Sequence, residues 1–135
     1  MSYALDTNII IRYLRNDAKT TQNVDMALEQ RFNIYVPKMV DYEIRRGFAV
    51  MEIPAVKKER AYRILLERCP VAEMCELSWE RAAQVYKDLY RSGYTVGEMD
   101  MLIAAFCLEY DHTLVTNNTS DFVNINGLKL VDWCK

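Results

Sequence analysis

Short apolar runs alternate along this chain with longer stretches in which apolar residues return every three or four positions, the spacing of a helix with one buried face. Tyr3 to Leu5 reads as a short strand, and Ile9 to Leu14 as a helix entered through the polar triplet Asp6-Thr7-Asn8. A second helix is expected over Thr21 to Gln30. Ile34 to Val36 is another strand, ended by Pro37, and a helix from Met39 to about Met51 follows, closed by Pro54. Val56 to Glu67 continues as a helix, and Met74 to Leu77 reads as a short strand. Ser78 then caps a helix carrying Ala82, Val85, Tyr86 and Leu89 on one side, which Ser92-Gly93 stops. Met99, Leu102, Ile103, Phe106 and Tyr110 repeat at helical spacing with Ala104, Ala105 and Cys107 between them, so this helix is apolar nearly all round and belongs in the core. Thr113 to Thr116 is a buried-type strand, Asn117 to Asp121 a polar turn, and Leu128 to Val131 a closing strand. Strands that alternate with helices predict an α/β fold, a mainly parallel sheet covered by helices on both faces.

Composition narrows this. The 135 residues fit one domain, 1–135, with no internal repeat or linker, and 51% hydrophobic with 27% charged residues excludes a disordered or low-complexity chain. The longest apolar run, Met101 to Leu108, is eight residues, far short of the roughly 18 that a membrane span requires. Asp6 and Arg12 interrupt what a signal peptide would keep apolar, so the expected location is cytoplasmic. Four cysteines form no C-x-x-C pair, and the single histidine, His112, sits in a turn and is expected at the surface. A structural zinc site therefore lacks its usual ligands, and the thiols are expected to be reduced.

The net charge of −2 removes the simple argument for nucleic-acid binding from overall basicity. Locally, Lys38 to Arg68 holds eight basic residues against five acids, which suits either a solvated helix face or a phosphate-binding track. In open parallel sheets the functional crevice lies beyond the carboxyl ends of the strands, so acids placed there carry the most information. Asp6 directly follows the first strand, where it could equally cap the next helix. Glu43 lies three residues after Val40, on the edge of an apolar helical stripe, as a rim residue, a partner for an arginine or a ligand. Asp100 opens the core helix, where its charge also suits the helix dipole, although Glu98 already supplies such a charge. Asp121 lies in the turn after the Thr113 to Thr116 strand. If these four carboxylates converge at one sheet edge they repel one another, and an all-oxygen cluster of that kind suits Mg²⁺ or Mn²⁺.

The blocks Leu5-Asp6-Thr7-Asn8, Glu43-Ile44-Arg45-Arg46-Gly47, Asp100-Met101-Leu102-Ile103-Ala104-Ala105 and Leu114-Val115-Thr116-Asn117-Asn118, the last running on to Asp121-Phe122, resemble in order and spacing those of PIN-domain ribonucleases. Among these the chain is most similar to the VapC-type toxins of toxin-antitoxin pairs. The resemblance implies a three-layer α/β/α PIN fold and an endoribonuclease whose acidic cluster falls on Asp6, Glu43, Asp100 and Asp121, holding one or two Mg²⁺, with Mn²⁺ an alternative. It also implies Thr116 as the supporting hydroxyl, Asn8 as a lesser candidate, and Thr7 and Asn117 as turn-forming or supporting residues. Glu98 would cap its helix. Arg45 and Arg46 become candidates for RNA contact, with Lys57, Lys58, Arg60 and Arg63 extending the track. A VapB-like antitoxin and a homodimer are the implied partners. Three other readings remain open. One is a phosphatase with an aspartyl nucleophile, weakened by Asn8 where that chemistry wants a second Asp. The others are a solitary RNA-processing nuclease and a non-catalytic PIN-fold binding module.

Overall fold

Tyr3, Ala4 and Leu5 are buried, as are Ile34, Val36, Leu114 and Val115, so these runs can only be strands covered on both faces. In the computed structural model, which covers residues 1–135, they are the centre of a five-stranded parallel sheet. The strands are β1 (Ser2–Leu5), β2 (Asn33–Pro37), β3 (Val71–Ala72), β4 (Thr113–Val115) and β5 (Leu130–Val131), in the order β3-β2-β1-β4-β5. The chain builds outward from β1 through β2 to β3, then returns to β1's other edge as β4. The direction of winding therefore reverses between β1 and β4, where Leu5 pairs with Val115 and the Asp6 amide donates to the Val115 carbonyl at 2.9 Å. A reversal of this kind leaves a crevice at the carboxyl ends of the two strands.

Six helices cover the sheet: α1 (Thr7–Leu14), α2 (Ala18–Glu29), α3 (Lys38–Ala49), α4 (Val56–Arg68), α5 (Glu76–Ser92) and α6 (Glu98–Tyr110). α1 packs against α2, α3 and α4, while α5 packs extensively on α6. The apolar character of α6 all round has the predicted outcome: Met101, Ile103, Ala104, Ala105, Phe106 and Cys107 are all buried. Gly93 ends α5 in the left-handed conformation, φ 77°, which a side chain would strain. No helix is long and apolar enough to cross a membrane.

Three expectations are corrected. The strand placed at Met74 to Leu77 is displaced. β3 is instead Val71–Ala72, pairing with Val36 and Pro37, and α5 begins at Glu76. A two-residue edge strand is set by its neighbour's free hydrogen-bonding groups, not by its own pattern. Glu98 is not the cap of α6. Gly97 takes that position and no side chain caps it, so Glu98 contributes only charge in the first turn. His112 is buried, not exposed. It precedes β4, its Nδ1 lies 2.7 Å from Ser2 Oγ, and its ring packs between those of Tyr35, Phe106 and Tyr110. A turn residue is usually solvated, but this turn ends against β1, and the aromatic rings close over it.

Burial disfavours the imidazolium and holds the His112 pKa below its usual 6.5, against the pull of Asp111. The unfolded chain then binds this proton more readily than the folded one. The stability that His112 contributes is complete above about pH 6.5 and is lost as pH falls from there through the folded-state pKa. Because the chain has one histidine, its ring protons can be followed alone by NMR. The expected titration midpoint lies below 6.5, and a midpoint at or above that value contradicts the buried, neutral ring.

Candidate active site

The crevice at the β1–β4 reversal is filled with polar side chains. Asp6, the first residue after β1, is the N-cap of α1 and is only 5% exposed. Its Oδ1 accepts from the Thr7 amide at 2.8 Å, and its Oδ2 accepts from Thr116 Oγ1 at 2.8 Å and Asn8 Nδ2 at 3.1 Å. Capping and site roles are therefore combined in one residue, and three of the carboxylate's four acceptor positions are used. Burial still raises the Asp6 pKa, and Glu43 adds to the rise, opposed by the donors from Thr116, Thr7 and Asn8.

Thr116, fully buried and directly after β4, is the hub on the opposite strand: it donates to Asp6 and accepts from the Asn118 amide at 3.1 Å. Asn8 ties the two strand ends together, since its Oδ1 also accepts from the Asn117 amide at 2.9 Å. Glu43 reaches the same network from α3. Thr7 Oγ1 donates to Glu43 Oε1 at 2.8 Å, and the Arg46 guanidinium stands 3.7 Å from the other carboxylate oxygen.

Asp100 enters in the first turn of α6. Desolvation, followed by the charges of Asp6, Asp121 and Glu43, pushes its pKa up to about 6. A helix N-terminus ordinarily favours an ionised aspartate, so a shift in this direction reports burial first and crowding of like charge second. Asp121, exposed in a 3₁₀ turn over Thr119–Asp121, contributes from the loop after β4. Asp100 thus feels the charges of the other three predicted acids, each carried by a separate segment. Asp121 stands at the open, solvated side.

No three acidic, histidine or cysteine side chains close together into a complete metal shell. The donor chemistry nevertheless fits a hard divalent cation. All the candidate ligands are oxygens, one position on Asp6 is spare, and Mg²⁺ keeps several waters while binding through one or two carboxylates. Asp6 and Asp100 are the residues best placed to hold such an ion, with Glu43 and Asp121 at its margin.

The two arginines separate. Positions 43 and 45 differ by about 200° around a helix, so Arg45 points away from the site while Arg46 shares the face of Glu43. Arg45 Nε instead donates at 2.9 Å to Asp41, which also accepts from Tyr62 Oη at 2.7 Å and has Lys38 at 3.8 Å. Asp41 is 1% exposed, and sequence reasoning passed it over. Its signal was the pair of cations at i−3 and i+4. Arg12 and Asp132 were also missed. Arg12 donates to Asn117 Oδ1 at 3.1 Å, and Asn117 donates to Asp132 at 3.2 Å, bracing the loop that carries Thr116. Both had a signal: Arg12 lies one turn beyond Asn8, and Asp132 directly follows a strand as Asp6 does.

The PIN domain model matches residues 3–128. The chain is 28% identical over 141 residues to the tRNA(fMet)-specific endonuclease VapC of Shigella flexneri, covering 98% of each chain. It is 28% identical to ribonuclease VapC2 of Rickettsia felis over the full length of both. Among solved structures, VapBC-1 from nontypeable Haemophilus influenzae superposes with a TM-score of 0.87 at 26% identity, covering both chains fully.

Two outcomes are expected. In chelator at pH 7.5, Asp100→Asn relieves repulsion and stabilises the protein by about 1 kcal/mol after allowance for solvent screening. A raised folded-state pKa means that Asp100 costs stability above about pH 6, and this cost fades as pH falls toward its unfolded value of 3.8, so the gap in melting temperature closes there. An unchanged melting temperature at pH 7.5 rejects the crowding. Tyr62→Phe strips a donor from buried Asp41 and costs roughly 1.5–3 kcal/mol in urea unfolding, whereas a loss below about 0.5 kcal/mol shows that Arg45 and Lys38 suffice.

Proposed function

This chain belongs to the PIN domain family, and on that premise we propose that it is a VapC-type endoribonuclease that hydrolyses RNA phosphodiesters with Mg²⁺, or Mn²⁺ in its place, under the control of a small antitoxin. The observation that supports this reading is the acidic surroundings of the sheet's reversal point: Thr7 links Asp6 to Glu43, and burial with the charges of Asp6, Asp121 and Glu43 pushes the Asp100 pKa up to about 6. The Shigella and Rickettsia relatives, matched over essentially the whole chain, support the substrate class.

Asp6 and Asp100, with Glu43 and Asp121, would hold a divalent cation, whose chemistry there would be to acidify a water and to offset charge on the departing oxygen. The chain's own residues supply position. Thr116, Asn8 and the Thr7 amide fix both oxygens of Asp6, so that its spare acceptor position faces a defined direction. Thr7 sets the Glu43 carboxylate, and Arg46, with its side chain about half exposed, is placed to hold a phosphate flanking the cleaved one. His112 takes no part. It precedes β4 and bonds to Ser2 at the start of β1, at the edge of the sheet opposite Asp6.

The antitoxin reading draws on a groove of about 270 Å³ between α1, α3 and α4. Ile11, Leu14, Phe48 and Met51 make it apolar, and Glu43 stands on its wall beside the acidic cluster. An apolar segment ending in a basic side chain suits both features. The likeness to a VapBC structure supports the same partner.

The test is hydrolysis of RNA by protein freed of antitoxin. Cleavage is expected to stop in EDTA and return with Mg²⁺. Asp6→Asn and Asp100→Asn should each lose more than about 100-fold in rate, and Thr116→Val about 10- to 100-fold, with unchanged circular dichroism. Full activity in both aspartate variants refutes the assignment.

A further inference from the structure

The C-terminal half of α5 and the turn after it expose three tyrosine rings that neither the core nor the acidic site uses. Tyr86, Tyr90 and Tyr94 are 53%, 75% and 50% exposed. Tyr86 and Tyr90 lie one turn apart with nearly parallel rings, 21° between planes and 6.1 Å between centroids, and Tyr94 follows just past Gly93. With Val96 and Met101 they border a shallow cleft of about 160 Å³. That is below the roughly 300 Å³ where enclosed small-molecule pockets begin, so the feature is a shelf for a flat group.

Two observations say which flat group. The first is charge. Lys87 and Arg91 each follow a tyrosine by one residue, so a basic stripe runs beside the aromatic one, about 100° around the helix and away from buried Val85 and Leu89. The ion pairs of the chain engage Lys38, Arg45, Arg46, Arg81 and Lys129 and leave Lys87 and Arg91 to solvent. Asp88 lies on the helix face beside Arg91, three residues before it, and forms no ion pair with it. Parallel rows of aromatic faces and unpaired cations are the arrangement that binds single-stranded nucleic acid, bases on the rings and phosphates on the cations. The second is continuity with the acids. Met101, which borders the cleft, is the residue after Asp100. The connecting segment, Thr95 to Gly97, lies between the two, and a Cβ placed on Gly97 would stand 3.9 Å from Asp100 Oδ2. Tyr94 and Asp100 are six residues apart, at most about 20 Å along the chain.

We propose that Tyr86, Tyr90 and Tyr94, with Lys87 and Arg91, form a stacking platform for unpaired bases of the RNA strand whose phosphodiester lies at the acidic cluster. This rests on the ribonuclease reading and extends it, because it makes single-stranded RNA next to the cleavage point the recognised form of the substrate. The bases gain by stacking, which every base can do, so the platform selects unpaired strand over duplex without reading sequence.

The test is fluorescence-anisotropy binding of a labelled, mixed-sequence single-stranded oligoribonucleotide in EDTA, with the probe recovered intact, alongside an abasic strand of the same length. Tyr90→Ala and Tyr94→Ala are each expected to weaken binding of the normal strand roughly 5- to 150-fold. Tyr90→Trp, which keeps the ring, should retain it. On the abasic strand, wild type and alanine variants should bind alike, and Lys87→Gln with Arg91→Gln should flatten the salt dependence. Alanine variants that bind the normal strand like wild type overturn the platform. So does an equal loss on both strands, or unchanged RNA binding with a change of oligomeric state in sedimentation, which would make the tyrosines a protein-docking surface. If the wild type neither binds nor cleaves RNA, the ribonuclease reading itself fails; if it cleaves normally and the tyrosine variants do too, with unaltered affinity, only the platform fails.

Discussion

The constraint on which this molecule depends is the junction of β1 and β4 at their carboxyl ends. A parallel sheet that grows from one central strand in both directions cannot cover that junction with its own crossovers, because the connecting helices depart to either side. The backbone closes the first step, Asp6 amide to Val115 carbonyl, and the side chains of Asp6, Asn8 and Thr116 close the next. A carboxylate is an expensive choice for a buried position. Apolar residues would leave the amides of Thr7, Asn117 and Asn118 without the acceptors they now have, and buried donors without partners are costly too. Asp6 thus serves the fold through the same oxygens that serve the site.

Once that carboxylate is in place, each further acid around it is destabilising, and the structure shows how the strain is distributed. Glu43 has two local partners, Thr7 and Arg46. Asp121 stays in solvent, where water screens it. Asp100 has neither remedy, and burial with the neighbouring charges pushes its pKa up to about 6. The residue with the least local compensation is the one for which a cation offers most.

Much of this was legible in the sequence because the central strands and α6 bury both faces and must therefore be apolar throughout. Ala4, Val36, Leu114 and the Met101 to Cys107 stretch could take no other position. The four acids drew notice by position: Asp6 directly follows a strand, Glu43 edges an apolar helical stripe, Asp100 opens the core helix and Asp121 lies in the turn after β4. What escaped was decided by partners distant in sequence. β3 has two residues and exists because Val36 and Pro37 offer it an edge. His112 is buried by the ring of Tyr35 from β2, 77 positions earlier, together with Phe106 and Tyr110 of α6. Asp41 looked like an ordinary polar helix residue until Tyr62, 21 positions later, supplied its partner. Pairing at long separation leaves no period in the chain for a pattern to detect.

Helix α3 shows how the site is held rigid without being buried. Its successive turns place Glu43 and Arg46 toward Asp6 and Thr7, while Asp41 and Arg45 face Tyr62 on α4. The exposed side could drift, because a surface ion pair at 3.7 Å holds little by itself. The other side cannot, because buried Asp41 loses a charge-assisted bond if the helix rotates. One clamp thereby sets the angle at which Glu43 meets the cluster. The same rotation would also move Phe48 and Met51, which line the neighbouring apolar groove. The clamp therefore fixes, through a single rigid helix, both the Glu43 carboxylate beside Asp6 and the Phe48 and Met51 side chains that line the groove.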